Sequence, residues 1–216
     1  MGIPEVFAID FEGTTRDGVW EFGLVQLKQE EVVNPLTEIC AVSAEASFFL
    51  RKSRKPTQPT EGIKPFQRYF SLFKSLRRRG IFAAHRAQVE LSLLRNSWPS
   101  PGFVPNFLNE TIPSHGLTWG PCIDTFVLCR RYFPQLKTHT LRDAVESFAL
   151  ADELQTLVRK MCPPGRRTFH CALFDAIGCA LVLRHILVTI PLTLTQAMEH
   201  SLPCVRLQSQ LQGNLF

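Results

Sequence analysis

The chain has 216 residues, 45% of them hydrophobic and 20% charged, with a formal net charge of +5. That is enough apolar content for the core of one globular domain with a small appendage, and the mild basic excess is compatible with a polyanionic partner. Seven cysteines, odd in number and without a Cys-x-x-Cys pair, exclude a disulfide framework or a zinc ribbon and point to reduced, buried thiols in a cytoplasmic protein.

Residues 1–10 carry no basic region followed by a long apolar stretch, so no signal peptide is expected. Residues 5–10 read as a buried strand that ends at two acids, Asp10 and Glu12. Residues 19–28 alternate and predict a second strand, with Asp17-Gly18 as the hairpin turn. A third strand is expected within 38–50, where Ser-Phe-Phe-Leu is β-prone and a basic, Pro-rich stretch follows. Phe66, Tyr69, Phe70, Phe73 and Leu76 recur at helical spacing and predict an amphipathic helix over 65–78. At that spacing the stripe reads as core rather than as a base-stacking platform.

Residues 80–85 predict a short buried strand and 89–97 a helix; 97–120, rich in Pro, Gly and Asn, reads as a long surface excursion. A strand ends near Asp124, which reads as a helix-capping acid. Helices follow over 140–148, 151–161 and 171–188. The last of these is apolar enough to suggest a membrane span, but it contains Asp175, Arg184 and His185 and so predicts a core helix. Strands early, helices late and β-α alternation between them predict an α/β layout with a mixed sheet covered by helices.

Basic residues cluster at Arg51, Lys52, Arg54 and Lys55, at Arg77 to Arg79, at Arg130 and Arg131, and at Arg166 and Arg167. Each cluster singly reads as a solvated face. The basic residues near Arg166 and Arg51 are also candidates for guiding a single strand.

The chemistry lies in the acids. Asp10 and Glu12 project from one side of their strand, roughly 7 Å apart at the backbone. Carboxylates that close repel, and a hard divalent cation resolves the conflict. Alone, an Asp-x-Glu also fits a strand end that simply meets solvent. Glu90 follows a strand end at His85, in a helix-start position the dipole also favours. Asp175 interrupts an apolar helix five residues after His170, where an acid needs either a local hydrogen-bond partner or a cation.

Together these residues resemble the DEDD exonuclease superfamily in its histidine-containing form, the RNase T and polymerase proofreading-subunit enzymes. Asp10, Glu12 and Thr14 in Ala-Ile-Asp-Phe-Glu-Gly-Thr-Thr match the first motif. Ala84, His85 and Ala87 match the second, with Glu90 in place of its aspartate and Arg86 in place of its asparagine. His170, Ala172, Asp175 and Ala176 match the third. The resemblance covers about residues 5–190, in the family's order. It implies a ribonuclease H-like fold with a central mixed five-stranded sheet flanked by helices.

It also implies a 3′–5′ exonuclease acting by a two-metal mechanism, with Mg²⁺ or Mn²⁺ ions about 4 Å apart. Asp10, Glu12, Glu90 and Asp175 would hold the two ions, and His170 would take the proton from the attacking water; a free imidazole titrates near 6.5, matched to that task. Gly13, Thr14, His85, Arg86 and Arg166 are the expected substrate contacts. The expected substrate is the 3′ end of single-stranded or mismatched DNA, in replication or repair. RNA 3′-end trimming, or a nucleic-acid binder that has lost catalysis through Glu90 and Arg86, are the alternatives.

Residues 1–195 are expected to form the exonuclease domain, and 196–216 a C-terminal helix and tail. Gln212, Leu215 and Phe216 in that tail resemble the Gln-x-x-Leu-Phe peptide that binds bacterial sliding clamps, an anchor-residue mode of recognition equally met by chance. No membrane partner is expected.

Overall fold

The structure, a computed structural model, describes residues 4–40, 65–107 and 114–202. In chain order the elements are β1 (Glu5–Thr14), β2 (Gly18–Lys28), β3 (Glu31–Ile39), a 3-10 turn (Phe66–Tyr69) running into α1 (Phe70–Arg79), β4 (Gly80–Ala84) and α2 (Ala87–Ser97). A small hairpin of β5 (Val104–Asn106) and β6 (Ser114–Gly116) precedes β7 (Cys122–Asp124). Then come α3 (Thr125–Tyr132), α4 (Leu141–Ser147), α5 (Ala151–Met161), α6 (Ala172–Thr189) and α7 (Leu194–Ser201).

The main sheet has five strands in the order β3-β2-β1-β4-β7. β1, β2 and β3 form an antiparallel meander, while β4 and β7 run parallel to β1. This is the mixed five-stranded α/β sheet expected from the sequence. Period-two alternation divides its apolar residues between two cores. Val6, Ala8, Val25, Ile81 and Ala83 face the layer that contains α6. Phe7, Ile9, Phe11, Phe22 and Phe82 face the layer built from α1, α2 and the 3-10 turn.

The aromatic stripe is core, as its spacing predicts. Phe66 and Phe73 are fully buried and pack edge-on against Phe11 at 5.4 and 5.5 Å between ring centres. Helix α6 is long and apolar enough to cross a membrane by composition. Its residues are largely buried against β1 and β2, however, and Arg184 near its end is ion-paired with Glu153 of α5. It is the central helix of a folded core.

Three expectations change. The third strand lies at Glu31–Ile39, not within 38–50; residues 41–50 fall outside the described residues. β3 contains Asn34-Pro35, which an edge strand tolerates. Asn34 takes φ 52° opposite a register shift between Leu24 and Gln26, so the proline's missing donor interrupts no central ladder. The 97–120 excursion is anchored by the buried Trp98 and Trp119, whose indole N–H donates to the Trp98 carbonyl at 2.7 Å. Arg77, the first of its basic cluster, is buried rather than solvated. Its guanidinium donates to the Trp119 and Gly120 carbonyls at 3.1 and 2.9 Å, and burial lowers its pKa to about 10.

Helix α7 runs across the expected boundary at residue 195, and its Ser201 hydroxyl accepts the Asp124 N–H at 2.9 Å. The cluster at Arg51 to Lys55, Cys204 and the clamp-like residues Gln212, Leu215 and Phe216 lie outside the described residues. The six described cysteines are all free and buried.

Candidate active site

The site begins with the register of β1. Asp10 and Glu12 share the face of Val6 and Ala8, the one that α6 covers. Asp10 lies opposite Gly23 on β2, and Glu12 opposite Glu21. Gly23 decides how closely the helix approaches. A Cβ there would stand 2.2 Å from the Ala172 carbonyl carbon and the Leu173 nitrogen, so only a bare backbone lets the first turn of α6 rest on β2. That turn carries Asp175 toward Glu12 on β1.

Just before α6 the chain turns through His170, whose φ of 67° lies in the left-handed region. The His170 backbone N–H donates to the Asp175 carboxylate at 2.8 Å, fixing this turn. As a result one donor atom each from Glu12, His170 and Asp175 lies within 4.8 Å of the others. Asp10 acts electrostatically on the Cys179 thiol, one turn along α6 from Asp175.

Glu90 comes from the opposite layer. It is 4% exposed in the first turn of α2. β1 continues past its last paired residue on β4, and Glu90 accepts the Phe11 backbone N–H there. Burial pushes its pKa up to about 8, with the charges of Glu12, Asp175 and Asp124 adding to the effect and the Phe11 bond opposing it. Its Oε2 is buried and has no hydrogen-bond partner among the described residues. An orphaned carboxylate oxygen within the field of three other acids fits a hard divalent cation.

Asp124 has a different task, the one its position predicts. Its carboxylate accepts the N–H groups of Phe126 and Val127 at the start of α3, and those of Arg86 and Ala87 at the start of α2. One buried acid caps two helices. Burial raises its pKa, while the four N–H bonds act against that.

The expected substrate contacts divide. Gly13 sits at a register shift after Glu12, where a Cβ would meet the Gly18 carbonyl oxygen at 2.4 Å. Thr14 is exposed, and its hydroxyl donates to the Asp17 carboxylate and accepts the Asp17 N–H, both at 2.9 Å. Arg86 is exposed and its guanidinium lies 4.9 Å over the Phe126 ring.

Two expected contacts are used inside the fold instead. His85 has one ring nitrogen 3.0 Å from the Thr125 hydroxyl and the other 3.0 Å from the His139 carbonyl oxygen; burial pulls its pKa down to about 4. Arg166 is ion-paired with Glu21, their side chains 11% and 4% exposed. Glu21 and Gly23 were not among the sequence candidates. Within Val-Trp-Glu-Phe-Gly the acid reads as an outward residue of an alternating strand. The signal that marks it is its register opposite Glu12, which needs the pairing to be known.

No protein-family model matches the chain, and no curated protein matches it in sequence. Solved structures do match. Exonuclease X in complex with 5′-overhanging duplex DNA has a TM-score of 0.59 at 21% identity, over 91% of this chain and 99% of that one. A full-length 3′-exonuclease has 0.56 at 12% identity, over 91% and 90%. A 3′-exonuclease in 3′-end-specific recognition of a histone mRNA stem-loop has 0.54 at 12% identity, over 88% and 84%. The fold of this chain is thus the ribonuclease H-like α/β fold of these proteins.

Proposed function

We propose that the protein is a metal-dependent 3′–5′ exonuclease that removes nucleotides from single-stranded or mismatched DNA ends. The observation that carries this reading is the grouping of Glu12, His170 and Asp175 within 4.8 Å, with Asp10 on the same face of β1 and the buried Glu90 in the field of Glu12 and Asp175. Asp10 and Glu12 come from β1, Glu90 from α2, and Asp175 from α6 with His170 before it. The matched solved structures support the same reading: one is Exonuclease X with duplex DNA, and two are named 3′-exonucleases, one of them in recognition of a histone mRNA stem-loop.

Asp10, Glu12, Glu90 and Asp175 would hold two Mg²⁺ or Mn²⁺ ions, which supply charge stabilisation of the phosphoryl group and of the departing 3′-oxygen. The residues then divide the work. The backbone bond from His170 to Asp175 keeps the imidazole near the Asp175 and Glu12 carboxylates, where a ring nitrogen would take the proton of the attacking water. Gly13 and Thr14 carry the chain past the acids at the β1–β2 turn and border the terminal nucleotide. Arg86, exposed at the start of α2, offers its guanidinium to a phosphate.

An RNA 3′-end-trimming role is the second reading, favoured by the likeness to the histone mRNA exonuclease. Matched single-stranded deoxy and ribo oligomers, incubated with Mg²⁺ beside the Asp10→Ala variant, decide among the readings. Stepwise shortening of the deoxy strand, lost in the variant, is the expected result. Preference for the ribo strand moves the assignment to RNA. Cleavage that survives Asp10→Ala places the chemistry elsewhere, and no cleavage with retained binding makes the protein a binder. Residues 1–195 form the proposed catalytic unit, in a cytoplasmic protein. The proposed role of Gln212, Leu215 and Phe216 is to dock on a sliding clamp or polymerase, and deleting 212–216 while measuring clamp binding tests it.

A further inference from the structure

The parallel strands β1, β4 and β7 end at the same edge of the sheet, and the acids lie at that edge. Beyond β4 comes Arg86, and beyond β7 comes Phe126. Asp124 ties these two corners together through the Arg86 and Phe126 N–H groups, both at 3.0 Å. The Arg86 guanidinium lies over the Phe126 ring at 4.9 Å, and Arg130, one turn further along α3, approaches the same ring at 5.8 Å.

A second contact of this kind adjoins His170. The Phe169 ring packs edge-on against Phe174 at 4.8 Å, and the Arg142 guanidinium covers it at 4.7 Å. The segment between the two contacts is fixed as well. His139 lies 6.5 Å from the Phe126 ring and gives its carbonyl to His85, and Asp143 accepts the Thr138 and His139 N–H groups at 2.7 and 2.9 Å.

Arg86, Arg130 and Arg142 are all exposed, and none forms an ion pair among the described residues. Other arginines nearby are committed: Arg166 to Glu21, Arg184 to Glu153 and Arg77 to carbonyls. An aromatic ring beneath a guanidinium holds it flat without neutralising it. The outer face and the N–H fork stay available for a base plane or a phosphate. The acids repel the phosphates of a strand whose end lies among them, so a strand entering there needs cations just outside the cluster.

We propose that Arg86 and Arg130 over Phe126, together with Arg142 over Phe169, form a track for single-stranded nucleic acid bordering the acidic cluster. This rests on the exonuclease reading for the strand's direction, with its 3′ end at the acids, but its affinity does not depend on hydrolysis.

The test is binding of a fluorescently labelled single-stranded oligonucleotide, deoxy and ribo in separate arms, by anisotropy in EDTA across a salt series. Arg86→Gln and Arg142→Gln each weaken binding several-fold and lower the slope of log affinity against log salt by about 0.7, the value for one phosphate contact on a single strand. Arg78→Gln, an exposed arginine on α1 outside the track, changes neither. Wild-type affinity and slope in the two track variants, an equal loss in Arg78→Gln, or no binding by the wild type overturns the proposal. Turnover by the same proteins separates the two ideas. Binding through these arginines without hydrolysis removes the exonuclease reading and keeps the track. Hydrolysis with unaltered KM in the variants does the reverse.

Discussion

The backbone N–H of His170 donates to the Asp175 carboxylate at 2.8 Å, and the His170 imidazole lies in the same 4.8 Å group as the carboxylates of Asp175 and Glu12. A single turn of chain therefore sets both the proposed proton acceptor and one proposed cation ligand. Replacing His170 by Gln removes the acceptor and leaves Asp175 its backbone bond. The expected loss in kcat is roughly 10²- to 10⁴-fold, the range of general-base catalysis, with oligonucleotide affinity unchanged. Steady-state kinetics on a labelled strand measure it, and the limb of the pH–rate profile that reports the base disappears in the variant.

Glu90 predicts a pH dependence for the metal-free protein. Its folded pKa, pushed up to about 8, exceeds that of an unfolded glutamate near 4.3. The folded state therefore holds a proton the unfolded state has lost, and stability falls as pH rises through that window. His85, lowered to about 4 from an ordinary value near 6.5, acts oppositely below pH 6.5, where the unfolded state gains the proton first. The two largely cancel from pH 4.5 to 6.5 and leave a decline from 6.5 to 8. Its limit is about 1.4 kcal/mol per pH unit, one proton's worth. Thermal melts in EDTA across that range show the decline, Glu90→Gln flattens it, and Mn²⁺ reverses it by favouring the charged carboxylate.

Glu21 predicts a non-additive pair. It stands opposite Glu12, and Arg166 neutralises it. Arg166→Gln leaves a buried charge unpaired beside the acidic cluster, a change that costs about 3 kcal/mol or more. Glu21→Gln together with Arg166→Gln removes both charges and recovers much of that loss. Denaturant melts of the two singles and the double give the coupling. Equal losses that simply add would mean the two side chains act independently.

Gly23→Ala is expected to be severe for a residue with no function of its own. The added methyl would meet the Ala172 and Leu173 backbone at 2.2 Å, where no flexible side chain can yield. Overpacking costs about 1–3 kcal/mol, and relief requires α6 to lift from β2, carrying Asp175 away from Glu12. Calorimetric Mn²⁺ titration is expected to show weaker binding even where the variant still folds.

Much of the site was legible because periodicity is a local property. Asp10 and Glu12 share a face because strand side chains repeat every two residues, and Asp175 stands out because nothing around it is polar. The helical stripe from Phe66 to Leu76 announced its burial in the same way. The roles of His85 and Arg166 were not legible, because each depends on a partner far along the chain: Thr125 and His139 for one, Glu21 for the other. β3 was misplaced because the β-prone Ser-Phe-Phe-Leu drew the strand toward residues 47–50, whereas the observed edge strand tolerates Pro35, and edge position is a property of the whole sheet. Gly23 gave no sign at all, since a close backbone approach leaves no composition signal.

The sheet face formed by Val6, Ala8 and Val25 is covered by a helix that begins at Ala172, near the far end of the chain. During translation the first hairpin therefore leaves the ribosome with an uncovered apolar surface and two of the acids, long before the helix that completes both exists. A message truncated ahead of Asp175 yields a polypeptide that lacks one of the proposed cation ligands. Until translation passes that residue the early apolar hairpin has no cover of its own, and chaperones have it to shield.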